Sequence, residues 1–110
     1  MNIIAEINNL DWSESFIEEC NLAFNKPSPM QSKPETYLKV YCSYDMTTYV
    51  FNLKNVTEMS FISPANAFSN MEISYNEKSK LYTLNIYDYS SKDETPNLTI
   101  MCDGVEFLRV

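Results

Sequence analysis

The chain contains no histidine. That removes the one side chain that titrates near neutrality unperturbed, and with it the usual general base, the usual activator of a nucleophile and the commonest metal ligand. Glycine is almost as scarce, with Gly104 alone. A phosphate-cradling loop needs several positions where backbone N–H groups approach the ligand with no Cβ in the way, so one glycine excludes it. Cations are few, eight Lys and Arg against fifteen Asp and Glu, and binding a polyphosphate rests on cations displacing condensed counterions. Direct nucleic-acid binding is therefore disfavoured. No run reaches the ~18 apolar residues of a membrane helix, and the opening Met1-Asn2-Ile3-Ile4-Ala5-Glu6 has neither the basic segment nor the apolar stretch of a signal peptide. A cytoplasmic protein is the expectation. Cys20, Cys42 and Cys102 are an odd number with no Cys-x-x-Cys spacing, and they read as buried thiols with no metal or cofactor to hold.

What is present suits one folded domain over residues 1–110. The length of 110 residues and the 45% hydrophobic content allow a real core without staples. A net charge of −7 keeps such a domain in solution and speeds its encounter with a basic protein by electrostatic steering. Fifteen carboxylates make a two-carboxylate glycosidase conceivable, but no two of them stand out from a solvated acidic face. No Gly-x-Ser-x-Gly, His-Glu-x-x-His or calcium-loop pattern occurs. The reading is a protein that is not an enzyme.

Period-two alternation dominates after residue 36. Leu38, Val40, Cys42 and Tyr44 fall on one face of a strand, and Tyr49, Phe51 and Leu53 on the next, beyond an Asp45-Met46 turn. Met59 with Phe61 gives a third strand, Met71, Ile73 and Tyr75 a fourth, and Tyr82, Leu84 and Ile86 a fifth. Leu98, Ile100 and Cys102 precede Asp103-Gly104, a two-residue hairpin signal, with Val105 and Phe107 on the returning strand. Short strands at this spacing predict a mainly β fold, an antiparallel sandwich or open barrel of about seven to eight strands with room for one short N-terminal helix. Residues 12–24 fit either a helix, with Asp11 and Glu14 as a capping box, or a strand. Residues 25–36, carrying Pro27, Pro29 and Pro34, are a loop.

Eight tyrosines supply rigid contact area of the kind enriched in recognition surfaces. Tyr49, Tyr75 and Tyr82 fall on core faces, whereas Tyr37 and Tyr41 share the opposite face with Lys39, and Tyr87 and Tyr89 flank Asp88 at the edge of a long polar loop. Aromatics interleaved with acids suit a basic partner, because cations sit against both carboxylates and ring faces. The candidate contact residues are Asp88, Tyr89, Asp93 and Glu94 in that loop, then Asp11, Trp12 and Glu14.

The segment Asn9-Leu10-Asp11-Trp12-Ser13-Glu14-Ser15-Phe16-Ile17-Glu18-Glu19, a Trp followed by a polar cluster and an alternating strand, resembles the start of small bacterial immunity proteins of contact-dependent growth inhibition and polymorphic-toxin systems. The Tyr-rich strands and acidic total are similar to those proteins too, while the position after the Trp, often His there, is Ser13. The resemblance implies a cytoplasmic antitoxin, monomeric when free, that binds and occludes the active site of a basic secreted toxin domain such as an RNase or DNase, and it favours the strand reading of the first third. A secretion chaperone for an effector, normally built of long helices, and a carrier with an apolar cavity are the alternatives.

Overall fold

A computed structural model of the chain describes residues 2–21, 36–61, 67–87 and 96–110. The alternating segments become strands: β1 (Ser15–Asn21), β2 (Thr36–Cys42), β3 (Thr47–Lys54), β4 (Glu58–Phe61), β5 (Ala67–Phe68), β6 (Asn70–Asn76), β7 (Leu81–Tyr87), β8 (Leu98–Cys102) and β9 (Gly104–Arg109), after a helix α1 (Ile3–Asn8). They form a larger sheet in the order β5-β1-β2-β3-β9 and a smaller one in the order β4-β8-β7-β6, with antiparallel pairing. The result is a sandwich. Period two places Leu38, Val40 and Cys42 of β2 and Tyr49, Phe51 and Leu53 of β3 on the inner face, where they join Met71, Ile73, Leu84, Ile86, Leu98 and Ile100 of the smaller sheet in one buried cluster.

Trp12 is the largest side chain in that cluster and is 1% exposed. Its ring packs against Tyr49, Phe51 and Phe68 at centroid distances of 5.5, 5.9 and 6.4 Å. A buried indole needs a partner for its N–H, and Nε1 donates to the carbonyl of Ile7 at 2.8 Å. That bond ties the core to α1. The helix begins where the Asn2 side chain accepts from the Ile4 N–H at 3.0 Å. Six residues are too few to hold a helix by themselves, so α1 depends on its contacts: fully buried Ile7, and Asn8, whose side-chain amide donates to the carbonyl of Ile73 and accepts from its N–H, each at 2.9 Å.

Several expectations need correction. The residues of the ambiguous 12–24 segment that the structure describes carry a strand, and the helix lies upstream; Asn2 ahead of Ile3, Ile4 and Ile7 is the signal that marks it. Asp11 caps no helix. Its carboxylate accepts from the N–H and the hydroxyl of Ser13, closing a local turn. Cys42 and Cys102 are buried, but Cys20 is exposed at the open end of β1. Partial desolvation raises its thiol pKa, away from the thiolate that reactivity requires. Tyr75 is 40% exposed, because β6 runs past the core where it meets its turn, and its ring instead packs on Tyr82.

Asp103-Gly104 is not a hairpin. β8 belongs to the smaller sheet and β9 to the larger, so the dipeptide carries the chain from one layer to the other. The Asp103 N–H donates to the Lys54 carbonyl at 3.1 Å, holding the crossover against the end of β3. Gly104 does not adopt a positive φ, and a Cβ there would meet the Lys54 side chain at 3.4 Å, an ordinary contact. Gly104→Ala is therefore expected to keep the unfolding free energy within about 1 kcal/mol of the parent in urea denaturation, since the usual penalty applies only where φ is positive. A larger loss would contradict the crossover geometry.

Candidate protein-interaction surface

The outward faces of the two sheets differ in chemistry. An antiparallel sheet with one face in water normally presents polar side chains there, and the smaller sheet conforms with Asn70, Glu72 and Ser74 of β6, Thr83, Asn85 and Tyr87 of β7, and Thr99 of β8. These groups bond among themselves: the Tyr87 hydroxyl donates to Glu72 Oε1, and Thr99 Oγ1 to Asn85 Oδ1 at 2.8 Å. The larger sheet departs from the rule. Register places Phe16 opposite Tyr41 and Val50 opposite Leu108 on its outer face, with Tyr37 and Lys39 alongside. The Phe16 and Tyr41 rings lie 5.3 Å apart. Tyr37 and Tyr41 thus occupy the outward face that the alternation gives them, and the Tyr37 hydroxyl donates to Glu19 on β1, a carboxylate that pushes the phenol pKa up.

The apolar character gathers at one end. Six large hydrophobic residues are exposed among the described residues, and five of them, Phe16, Tyr44, Met46, Leu108 and Val110, belong to the end of the larger sheet where β2 turns into β3. Tyr44 and Met46, 73% and 79% exposed, form the tip of that four-residue turn, Ser43 to Met46, between paired Cys42 and Thr47. Val110 follows β9 and donates to the Thr48 carbonyl at 2.9 Å, beside the turn. The turn is held by Asp45, which accepts from the Thr47 N–H at 3.1 Å and from the Tyr49 hydroxyl.

The segment carrying Asp11 and Glu14 lies against the same turn. Ser43 Oγ donates to the Glu14 carbonyl at 2.6 Å, and Cys42 Sγ to that of Asp11 at 3.1 Å. Residues 9–14 and 43–46 together carry Asp11, Glu14 and Asp45 and no Lys or Arg. The Ser13 hydroxyl and N–H lower the pKa of exposed Asp11, so it stays ionised under all but strongly acidic conditions. Beside this end, Glu6, Leu10, Tyr49, Phe107 and Arg109 line an open pocket of about 290 Å³.

Of the candidate contact residues, Asp11 and Glu14 are exposed here, and Trp12 is not available. Its ring fills the core, because a large apolar ring with a satisfied N–H gains more inside than between two exposed acids. Asp88, Tyr89, Asp93 and Glu94 lie outside the described residues. Among the described residues the acids do not converge at one place. Asp103 sits at the far end of β3, bonded to Asn55 at 2.9 and 3.0 Å, a strand length of about 23 Å from the turn. Sequence reasoning passed over Tyr44 and Met46, one set on a buried strand face and the other treated as turn punctuation. Large apolar residues where polar ones are usual were the available signal.

Among the described residues no three His, Cys, Asp or Glu side chains are grouped so as to hold a metal ion, and no helix is long and apolar enough to cross a membrane. In comparisons with known proteins, no family model, no curated protein and no solved structure matches the chain.

Proposed function

We propose that this protein is a non-enzymatic immunity protein, which binds a basic toxin domain and occludes its active site, an RNase or DNase being the toxin class that its charge suits. The observation that carries the reading is the aromatic and apolar outer face of the larger sheet, ending in an acid-flanked turn, on a chain of net charge −7. Such a face buries apolar area on contact, while the charge raises the rate of encounter with a basic surface. A nuclease must be basic where it holds phosphates. An acidic protein seated there blocks substrate without chemistry of its own.

The test is capture of partners by the tagged chain from its native cells across a salt series, read by mass spectrometry, followed by assay of the partner's nuclease activity with and without the chain. One stoichiometric partner with a basic domain, released by rising salt and inhibited when bound, is the expected result. Charge reversal should slow association more than it speeds dissociation. The paired variants Asp11→Lys/Glu14→Lys and Asp93→Lys/Glu94→Lys then separate the two candidate regions, the region in contact being the one whose reversal lowers the on-rate and its salt dependence. Absence of any basic partner would overturn the reading.

A further inference from the structure

We propose that the turn between β2 and β3 is the anchor of the docking surface, with Tyr44 and Met46 entering an apolar recess of a basic protein whose Lys and Arg side chains ring that recess and meet Asp11 and Glu14. The assignment rests on the binding reading above and specifies where and by what chemistry contact is made.

Three features of the molecule converge on it. Among the described residues, Tyr44 and Met46 are the two most exposed large hydrophobic side chains of those that stand on a strand or a turn, at 73% and 79%, and they project from a turn whose base is fixed by Asp45 bonding to Thr47 and Tyr49. A rigid base under exposed apolar side chains reduces the ordering cost on binding. Behind the tip, Phe16, Tyr41 and Leu108 continue the apolar surface along the sheet, giving the central apolar area with a polar surround that recognition surfaces have. Around the tip acids predominate among the described residues: Asp11, Glu14 and Asp45 stand against Arg109, whose guanidinium donates to Thr47 Oγ1 at 3.3 Å at the base of the turn. This last point selects the occupant. A second copy of the chain would bring the same acids and another −7 against the patch, and like charges at close range oppose that pairing. A basic surface is attracted by them.

Met46 itself separates folding from binding. It holds φ 55°, a region that costs an L-residue free energy and glycine none. If the chain were optimised for stability alone, glycine would serve better at that position. Lys80 in the corresponding four-residue turn between β6 and β7 has φ 60°, so it provides a matched control away from the patch.

The experiment uses two synthetic peptides of equal length and charge, one of Lys and Leu with a continuous leucine face and one of Lys and Ser, titrated into the isotopically labelled full chain and followed by NMR. Amides of Phe16, Tyr41, Tyr44, Met46 and Leu108 are expected to shift with the Lys/Leu peptide, which should bind about tenfold more tightly than Lys/Ser, as a partially buried apolar anchor implies. Tyr44→Ala/Met46→Ala is expected to weaken the Lys/Leu peptide about tenfold at unchanged thermal stability. Met46→Gly should weaken it while raising thermal stability, and Lys80→Gly should raise stability and leave binding alone. Equal binding of both peptides, shifts centred on Glu58 and Glu72 of the smaller sheet, or line broadening that grows with protein concentration would each overturn the assignment, the last in favour of a second copy. A basic partner captured from cells together with peptide binding indifferent to Tyr44 and Met46 would remove this anchor and leave the immunity reading standing. Peptide binding at the tip with no basic partner in cells would do the reverse.

Discussion

Trp12→Ala is expected to remove about 3–5 kcal/mol of stability, the range for deleting a large buried aromatic side chain. Small domains are stable by only about 5–15 kcal/mol in total, so the variant is expected to unfold in mild urea or near physiological temperature. The ring is 1% exposed and touches Tyr49, Phe51 and Phe68, so nothing nearby is free to fill the space. The change also removes one of two donors to the Ile7 carbonyl, which keeps the Leu10 N–H at 3.3 Å, so the lost bond adds about 0.5–1.5 kcal/mol. Trp12→Phe separates the two parts: it keeps most of the apolar contact and loses the indole hydrogen bond, and should cost about 1–2 kcal/mol. Urea denaturation of both variants checks this. If Phe were as damaging as Ala, the hydrogen bond to α1 would dominate; if Ala were benign, Trp12 would not be the keystone its burial indicates.

The second large effect is a collapse of stability in alkali. Burial pushes the Cys102 thiol up to about 11 from 9.0. Tyr49 is pushed up to about 12 from 10.0, first by burial and then by its hydrogen bond to the Asp45 carboxylate. Both groups keep their protons more tightly folded than unfolded. The unfolded chain therefore binds fewer protons once pH passes the ordinary values, and stability falls as pH rises. The contribution of Cys102 is complete below about pH 9 and gone above about pH 11, and that of Tyr49 is complete below about pH 10 and gone above about pH 12. At about 1.4 kcal/mol per unit, each loss is of the order of 2–3 kcal/mol. With no histidine in the chain, no side chain with an ordinary pKa near neutrality is present to bend the curve between about pH 6 and pH 8. Unfolding free energies measured from pH 6 to 12 should show a plateau and then a steep fall, and Tyr49→Phe should recover about half of that fall. A parent curve that stays level to pH 12 would show that neither group is protected as its burial implies.

How much of this was legible in the sequence depends on whether the deciding interaction was local. Period two in Leu38-Val40-Cys42, Tyr49-Phe51-Leu53 and Leu84-Ile86 led directly to inner faces, because one buried face per strand writes itself into alternate positions. Tyr37 and Tyr41 were correctly set outward on the same ground. Asp103-Gly104 misled because the dipeptide fixes a local bend and not the sheet that the next strand joins; that choice is made by pairing with β3, a contact remote in sequence. The two-residue β5 has too little pattern to be seen at all, and exists because Phe68 is drawn into the core beside Trp12. For the candidate surface, alternation located Tyr37 and Tyr41 but not Tyr44 and Met46, since exposure at a turn depends on what the rest of the fold leaves uncovered.

The two hydrogen bonds between Asn8 and Ile73, one in each direction, bear on how many copies of the chain behave together. β6 is the last strand of its sheet, so its outer backbone groups face no neighbouring strand of that sheet, and such a border is a template on which another chain can lay down a strand of its own. Ile73 is at the middle of that border, and its N–H and C=O are already taken by one amide side chain that imitates a paired residue. An incoming strand would have to displace Asn8, and with it the helix whose contacts hold Trp12. Growth of intermolecular sheet along this border is thereby opposed by the stability of the core itself.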